Sequence, residues 1–400
     1  MKIALFSNFY FPTISGVVIA LDNLCQGLQE FGHRVYIVAP QKKTFSYPEN
    51  RIVIPFPSIN LTIKNLFLPL PLTITPKLFH RLEELHLDLI HTHHPFYVGE
   101  TALFYAKKLK IPLVSTFHTQ YDEYAASYLP PLLQKIARGK INQYIRDFVS
   151  RCNGVIIPTK AIKRKYLKRT RVSQAIIPSG INISQFQKKQ KSIRKKLGIK
   201  PKEIVLMTVS RLAKEKNIDF LLEAFSIICQ KEKNVKLVIV GGGFYQGSIK
   251  RIVQKIGLSQ KVILTGNIEP QKINQYYQSA DIFVYSCLTD TQGLTLIEAM
   301  ASGLPIVTVS SPERKELVKN KKEVIFTPNR QVAFANQVIK LIKNPKQRLK
   351  LGRAASIGAS RFSYQKTAQQ TLNFYQKIIK SYQKTTVGTE GRKRFLGRRV

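Results

Sequence analysis

The chain has 400 residues, long for one core and comfortable for two, and its 44% hydrophobic and 10% aromatic content excludes a disordered or low-complexity polymer. Sixty-four Lys and Arg against 23 Asp and Glu leave a formal charge of +41, which brings nucleic acid and the inner face of a membrane forward as polyanionic partners. Cys25, Cys152, Cys229 and Cys287 lie far apart with no C-x-x-C pair, which argues against a zinc site or disulfide framework and suits a reducing cytoplasm.

In chain order, Lys2–Ser7 reads as a short strand. Val17, Leu21, Leu24 and Leu28 then recur at helical spacing up to Gly32, and Arg34–Ala39 is a second strand, making a βαβ unit. The apolar look of the first twenty residues is interrupted by Ser7, Asn8, Pro12, Thr13, Ser15 and Gly16, so neither a spanning helix nor a secretory core is expected. Further strands are expected at Leu89–His91, Pro112–Phe117 and Gly154–Pro158, separated by helix-length segments.

The same grammar restarts after a basic connection at Lys188–Lys202. Strands at Ile204–Val209, Lys236–Val240, Val262–Thr265, Ile282–Ser286 and Pro305–Val309 alternate with helices at Ile218–Lys231, Ser248–Ile256, Pro270–Ala280 and Leu294–Ser302. The expected fold is α/β: two Rossmann-like, doubly wound parallel-sheet domains facing across a cleft, with ligands outside the carboxyl ends of the strands. The expected boundaries are 1–180, 181–362, a helical stretch 363–383, and a basic disordered tail 384–400.

Three loops at strand ends carry candidate chemistry. In Ser286–Gly303, SCLTDTQGLTLIEAMASG, a loop presents Asp290, Gly293 permits a tight turn, and a helix starting at Leu294 and Thr295 offers backbone N–H groups to an anion, with Glu298 one turn in. Spacing alone rather favours a plainer reading, a capping aspartate and a solvated glutamate. Ser210–Asn217 contains Arg211, Lys214, Glu215 and Lys216; an arginine fork and a lysine point charge there can clamp a diphosphate, and a solvated basic loop fits equally well. Gly16, opening the first helix, is a third possible phosphate approach or simply a turn.

Histidines cluster at His91, His93 and His94, with His118 at the next strand end. No nearby carboxylate or thiolate completes a zinc set and the chain has no D-x-D segment, so hydrogen bonding to a sugar hydroxyl is the preferred reading and no metal or other cofactor is expected.

Taken together, FYFPTISGV, HTHHPF, STFHT, IPSGIN at 177–182, SRLAKEKN and DTQGLTLIEAMASGLP make the chain resemble the family 4 retaining glycosyltransferases of GT-B fold, nearest to bacterial diacylglycerol α-glucosyltransferases. The resemblance implies that Arg211 and Lys216 hold the diphosphate of a nucleotide sugar, that Glu298 binds ribose hydroxyls, and that Asp290 touches the transferred sugar. It also implies that Gly16 lets the first helix approach the distal phosphate and that His118 faces the sugar and reaction centre. Gly293, Leu294 and Thr295 join the donor set. One departure is visible, aspartate at 290 where the family usually has glutamate, and the loop Ser310–Glu316 is a loose match that lacks the family's usual glycines. The activity implied is transfer of a hexosyl group, glucose from UDP-glucose, with retention onto a membrane lipid such as 1,2-diacylglycerol. A soluble glycan acceptor or GDP-mannose donor stays open.

From Lys135 to Arg171 there are twelve basic residues and one acid, Asp147. Leu132, Leu133, Ile136, Ile141, Tyr144 and Phe148 recur on a helical period with Lys135, Arg138, Lys140 and Arg146 between them, which predicts an amphipathic cationic helix docking a cytoplasmic, peripheral protein on an anionic bilayer. Ile59–Phe79 offers either an apolar insertion or a core-packed connection. A nucleic-acid-binding protein accounts for the charge too, but no zinc-finger or RNP-like pattern accompanies it, so no specific nucleic-acid partner is expected.

Overall fold

A computed structural model describes the chain apart from residues 41–46, 48, 57, 64–65, 72–73, 169, 319–321 and 397–400 and the side chains of 58–63, 66–71 and 386–396. The chain divides into two compact units: one formed by Met1–His118, Lys140–Gly180 and Tyr364–Val400, the other by Thr119–Gly139 and Ile181–Ser363.

The first unit is built on β1 (Lys2–Phe6), β2 (Arg34–Pro40), β3 (Ile52–Phe56), a hairpin of β4 (Ser58–Ile63) and β5 (Leu66–Pro71), β6 (Leu89–Thr92), β7 (Leu113–Thr116), β8 (Gly154–Ile157) and β9 (Ser173–Ile176). Among the described residues, seven of these pair in the order β3-β2-β1-β6-β7-β8-β9, every pair parallel. The apolar residues that dominate the interior strands are what a sheet covered on both faces requires. The antiparallel hairpin, in register from Ser58 with Pro71 to Ile63 with Leu66, occupies the stretch where an apolar insertion was one expectation; its side chains lie outside the described residues.

Two strands that the sequence pattern did not mark stand at the edges of this unit's sheet. β3 carries Pro55 paired opposite Ala39, a residue an edge strand tolerates because its missing N–H faces outward. β9, Ser173–Ile176, is half-buried throughout and so lacks the apolar run of an interior strand.

The final helix, Tyr364–Leu396, runs on past the Tyr382 expected from the sequence, so its backbone includes most of the stretch expected as a disordered tail; the side chains from 386 on lie outside the described residues. It packs against the helix Gly16–Glu30. The approach is so close that a Cβ on Gly27 would meet the Ala368 methyl at 2.5 Å. The Tyr364 hydroxyl bonds Gln26 and Glu30 at 3.0 and 2.6 Å, and Ala368, Leu372, Tyr375 and Ile378 enter the core of this unit.

The second unit holds β10 (Ile204–Val209), β11 (Val235–Val240), β12 (Val262–Leu264), β13 (Ile282–Tyr285), β14 (Ile306–Val309) and β15 (Ile325–Thr327), in the order β12-β11-β10-β13-β14-β15, all parallel. Separate apolar clusters fill its two faces, one including Phe225 and Phe334 and the other Tyr277, Phe283 and Met300. The order reverses between β10 and β13, and between β1 and β6 in the first unit, and in doubly wound sheets ligands bind at such a reversal. The segment Thr119–Gly139 packs within this second unit.

Candidate functional site

In the second unit the loops leaving β10 and β13 meet at the reversal point. Lys214–Lys216 forms one turn of 3-10 helix, and Asn217 follows it with φ 57°. Asn217 donates its side-chain amide to the Ser286 carbonyl at 3.2 Å, and the Ser286 hydroxyl returns a bond of 3.2 Å to the Lys216 carbonyl. These ties bring Lys216 to Asp290: Nζ donates to Oδ1 at 2.5 Å, while the Tyr285 hydroxyl donates to Oδ2. Burial pushes the Asp290 carboxyl up, but Lys216, Tyr285 and Arg314 more than offset it and leave it at about 2. Burial likewise presses the Lys216 ammonium down, and Asp290 overcomes that and raises it.

Arg211 lies beside this pair and is half-exposed. Its Nη2 donates to Glu215 Oε1 at 2.7 Å, and its guanidinium stands 5.3 Å from the centre of the Tyr124 ring. The other Glu215 oxygen accepts from the Tyr128 hydroxyl at 2.7 Å. Gln120 adds a bond of 3.0 Å to the Thr289 carbonyl, and Thr119 bridges to Asp290.

Gly293 turns the chain at φ 78° into the helix Leu294–Ala301 and, as the cap residue, offers no side chain to that helix start. Asp290 is therefore not the helix cap that spacing alone allowed. Nor is Glu298 solvated: it is 8% exposed, accepts from the Tyr277 hydroxyl at 2.7 Å, and burial raises its carboxyl to about 7 against the opposing pull of that bond. The arrangement offers two cations and a helix start with glycine at its cap to an anion, with a half-buried and a buried carboxyl group of opposite tuning on either side of the turn.

In the first unit, Gly16 is exposed at the start of its helix, which Ser15 caps by accepting from the Val18 N–H at 3.3 Å. His91 bonds Tyr375 and Thr116 at 2.5 and 2.7 Å, and His93 Nδ1 lies 2.8 Å from His118 Nε2. His94 Nδ1 accepts from the Asn8 N–H at 3.2 Å. Burial, helped by the His118 imidazole, holds His91 and His94 at about 3, and burial alone holds His118 at about 4. The cluster is thus a set of neutral donors and acceptors.

The expected cationic helix forms over Pro131–Ser150, but its apolar residues divide. Phe148 is buried and Tyr144 bonds Glu100 at 2.9 Å, whereas Leu132, Leu133 and Ile136 are exposed at 85%, 48% and 58%. Lys135, Lys140 and Arg146 are exposed, while Arg138 is held by Glu123 at 3.0 Å.

Residues 14–185 match the family model for glycosyltransferase family 4, and residues 189–357 that for glycosyl transferases group 1. Over 393 residues the chain is 31% identical to the alpha-monoglucosyldiacylglycerol synthase of Acholeplasma laidlawii, spanning 95% of this chain and 98% of that one. The chain belongs to the family 4 glycosyltransferases. A protein of the same name from Streptococcus pneumoniae is 32% identical over 329 residues, 80% of this glycosyltransferase and 74% of that one. The fold is GT-B: an Anabaena protein, HepE, crystallised with UDP and glucose, superposes with a TM-score of 0.74 at 19% identity, over 94% of this chain and 99% of that one.

Tyr124, Tyr128, Tyr277, Tyr285 and Arg314 escaped the sequence reading. A tyrosine at a strand end or in a helix reads as core, and Arg314, inside PERKEL, reads as solvated; neither pattern signals a buried polar partner.

Proposed function

We propose that this glycosyltransferase moves glucose from UDP-glucose to 1,2-diacylglycerol and retains the α configuration. The observation that carries the reading is the identity to an alpha-monoglucosyldiacylglycerol synthase across almost the whole of both chains. The geometry of the second unit supports it. Arg211 and Lys216 meet the leaving diphosphate together with the N–H groups of Leu294 and Thr295, so developing charge on the departing oxygen is stabilised by groups already in position. Glu298, as carboxylate, accepts ribose hydroxyls; Asp290, held at both oxygens, touches the transferred sugar.

The acceptor hydroxyl attacks from the face the diphosphate leaves, and its proton passes to a phosphate oxygen there, so no protein nucleophile is required. The roles implied for Gly16, toward the distal phosphate, and for His118, toward the sugar, are kept in this proposal. The chain is also read as peripheral on the inner face of the membrane. In support, no helix among the described residues is long and apolar enough to cross a bilayer, and Leu132, Leu133 and Ile136 stand exposed beside Lys135 and Lys140. Each cation near an anionic surface is worth about 1 kcal/mol.

The test is a transfer assay with labelled UDP-glucose and GDP-mannose against diacylglycerol and oligosaccharides, with and without EDTA. Glucosyldiacylglycerol with an α anomeric proton is expected, and turnover is expected to persist in EDTA. Transfer to oligosaccharides alone overturns the lipid assignment. Sedimentation with vesicles is expected to require phosphatidylglycerol and to weaken when Leu132, Leu133 and Ile136 are changed to serine.

A further inference from the structure

We propose that Tyr285 is the positioning residue of Asp290, and that Tyr285, Gly293 and the aspartate at 290 form a matched set in which the short acid fits the tyrosine. The inference rests on the reading that Asp290 meets the transferred sugar. Tyr285 ends β13 and is 2% exposed; its hydroxyl donates to Asp290 Oδ2 while Lys216 holds Oδ1 at 2.5 Å. With both oxygens held, the carboxylate has one orientation, and its remaining lone pairs point in fixed directions toward a sugar hydroxyl.

Gly293 makes the room. A Cβ there would lie 3.2 Å from the Tyr285 hydroxyl, and the residue's φ of 78° is strained for any side chain. A glutamate at 290, one methylene longer, would push its carboxyl into the space this hydroxyl fills.

Arg314 stands behind the tyrosine. It is fully buried, and its Nε and Nη2 donate to one carbonyl, that of Val309, at 3.2 and 2.7 Å. Its Nη1 has no partner among the described residues. The guanidinium lies 5.5 Å from the centre of the Tyr285 ring. An arginine keeps its charge when buried, so this cation strengthens the phenol as a donor to Asp290 at every working pH.

The test is a double-mutant cycle of Asp290→Glu and Tyr285→Phe in the transfer assay, with the Asp290 carboxyl of wild type and Tyr285→Phe also followed by carbon NMR against pH. Each single change is expected to lower kcat about tenfold, and the double variant to recover about fivefold over Asp290→Glu alone, because the larger acid then has its space. The Asp290 titration is expected to move to higher pH in Tyr285→Phe, since a donor to the charged form is lost. Additive losses, or an Asp290→Glu enzyme as active as wild type, overturn the matched set; an unmoved carboxyl titration overturns the positioning role. If the wild type transfers glucose to no acceptor, the functional proposal fails, while the NMR arm still decides the seating of Asp290.

Discussion

Tyr128 and Glu215, 87 residues apart, share a hydrogen bond of 2.7 Å, and the second oxygen of the same carboxylate takes Arg211 at 2.7 Å. A segment that the sequence assigned to the acceptor half thereby orients a cation assigned to the donor. Tyr128→Phe leaves a buried carboxylate oxygen without its donor, at a cost of about 1–3 kcal/mol. The expected result is a lower melting temperature and a several-fold higher KM for the nucleotide sugar, measured by calorimetry and initial rates. Arg211→Ala, which takes the cation from the other oxygen of the same buried carboxylate, is expected to cost about a hundredfold in kcat and to lower the melting temperature as well.

Lys216→Ala has a different expected signature. Lys216 is paired with Asp290 in a half-buried setting, so removing the ammonium leaves a carboxylate without its counter-charge, at a cost below the roughly 3–5 kcal/mol of a fully buried pair. Both turnover and stability are expected to fall, with the loss in melting temperature shrinking when Asp290→Asn is added. An unchanged melting temperature in the single variant would show that Asp290 does not depend on Lys216 for its charge.

Glu298 sets a pH dependence near neutrality. Its carboxyl lies at about 7 in the fold against 4.5 for the free group, so the folded chain binds the extra proton and stability falls as pH rises from the lower value through the higher. Glu298→Gln is therefore expected to raise the melting temperature more at pH 8 than at pH 5. Donor kcat/KM in the wild type is expected to rise through about pH 7 as the carboxylate forms, and Tyr277→Phe, which removes a donor to that carboxylate, is expected to shift the rise to higher pH.

The imidazoles of His91, His94 and His118 are expected to stay neutral from pH 8 down to pH 5, read by nitrogen NMR, because burial holds them at about 3, 3 and 4. His93→Phe removes the hydrogen-bond partner of His118 Nε2, and kcat is expected to fall with little change in donor KM. A normal histidine titration near 6.5 for any of the three would contradict the buried, hydrogen-bonded cluster.

The alternation of strands and helices and the strand-end loops that carry Lys216 and Asp290 were legible in the sequence because each depends on local pattern and on the order of a doubly wound sheet, but the pairing of those two side chains was not anticipated. Burial of polar groups was not. Glu298 looked solvated by spacing, yet its helix, LTLIEAMA, is apolar on every side, and a helix hydrophobic all round is a buried one; that signal was available. Arg314 gave no such sign, since PERKEL has the composition of a surface turn. The amphipathic helix was read as one continuous face, whereas packing of Phe148 and Tyr144 leaves exposed apolar residues only in its first part, a distinction fixed by tertiary contacts alone.

The chain passes between the two units at four places, after His118, Gly139, Gly180 and Ser363. At the last pair the crossing strands run side by side: Ile181 bridges to Ser363, and its N–H bonds the Phe362 carbonyl at 2.8 Å. A fragment cut at 181 and 363 would have neighbouring ends and look like a natural excision. It would also lack the excursion from Thr119 to Gly139, and with it Tyr124 and Tyr128 beside Arg211. A stand-alone nucleotide-binding module would have to be engineered with that excursion grafted on, and a library recombining halves at residue 180 would exchange part of one unit along with the other.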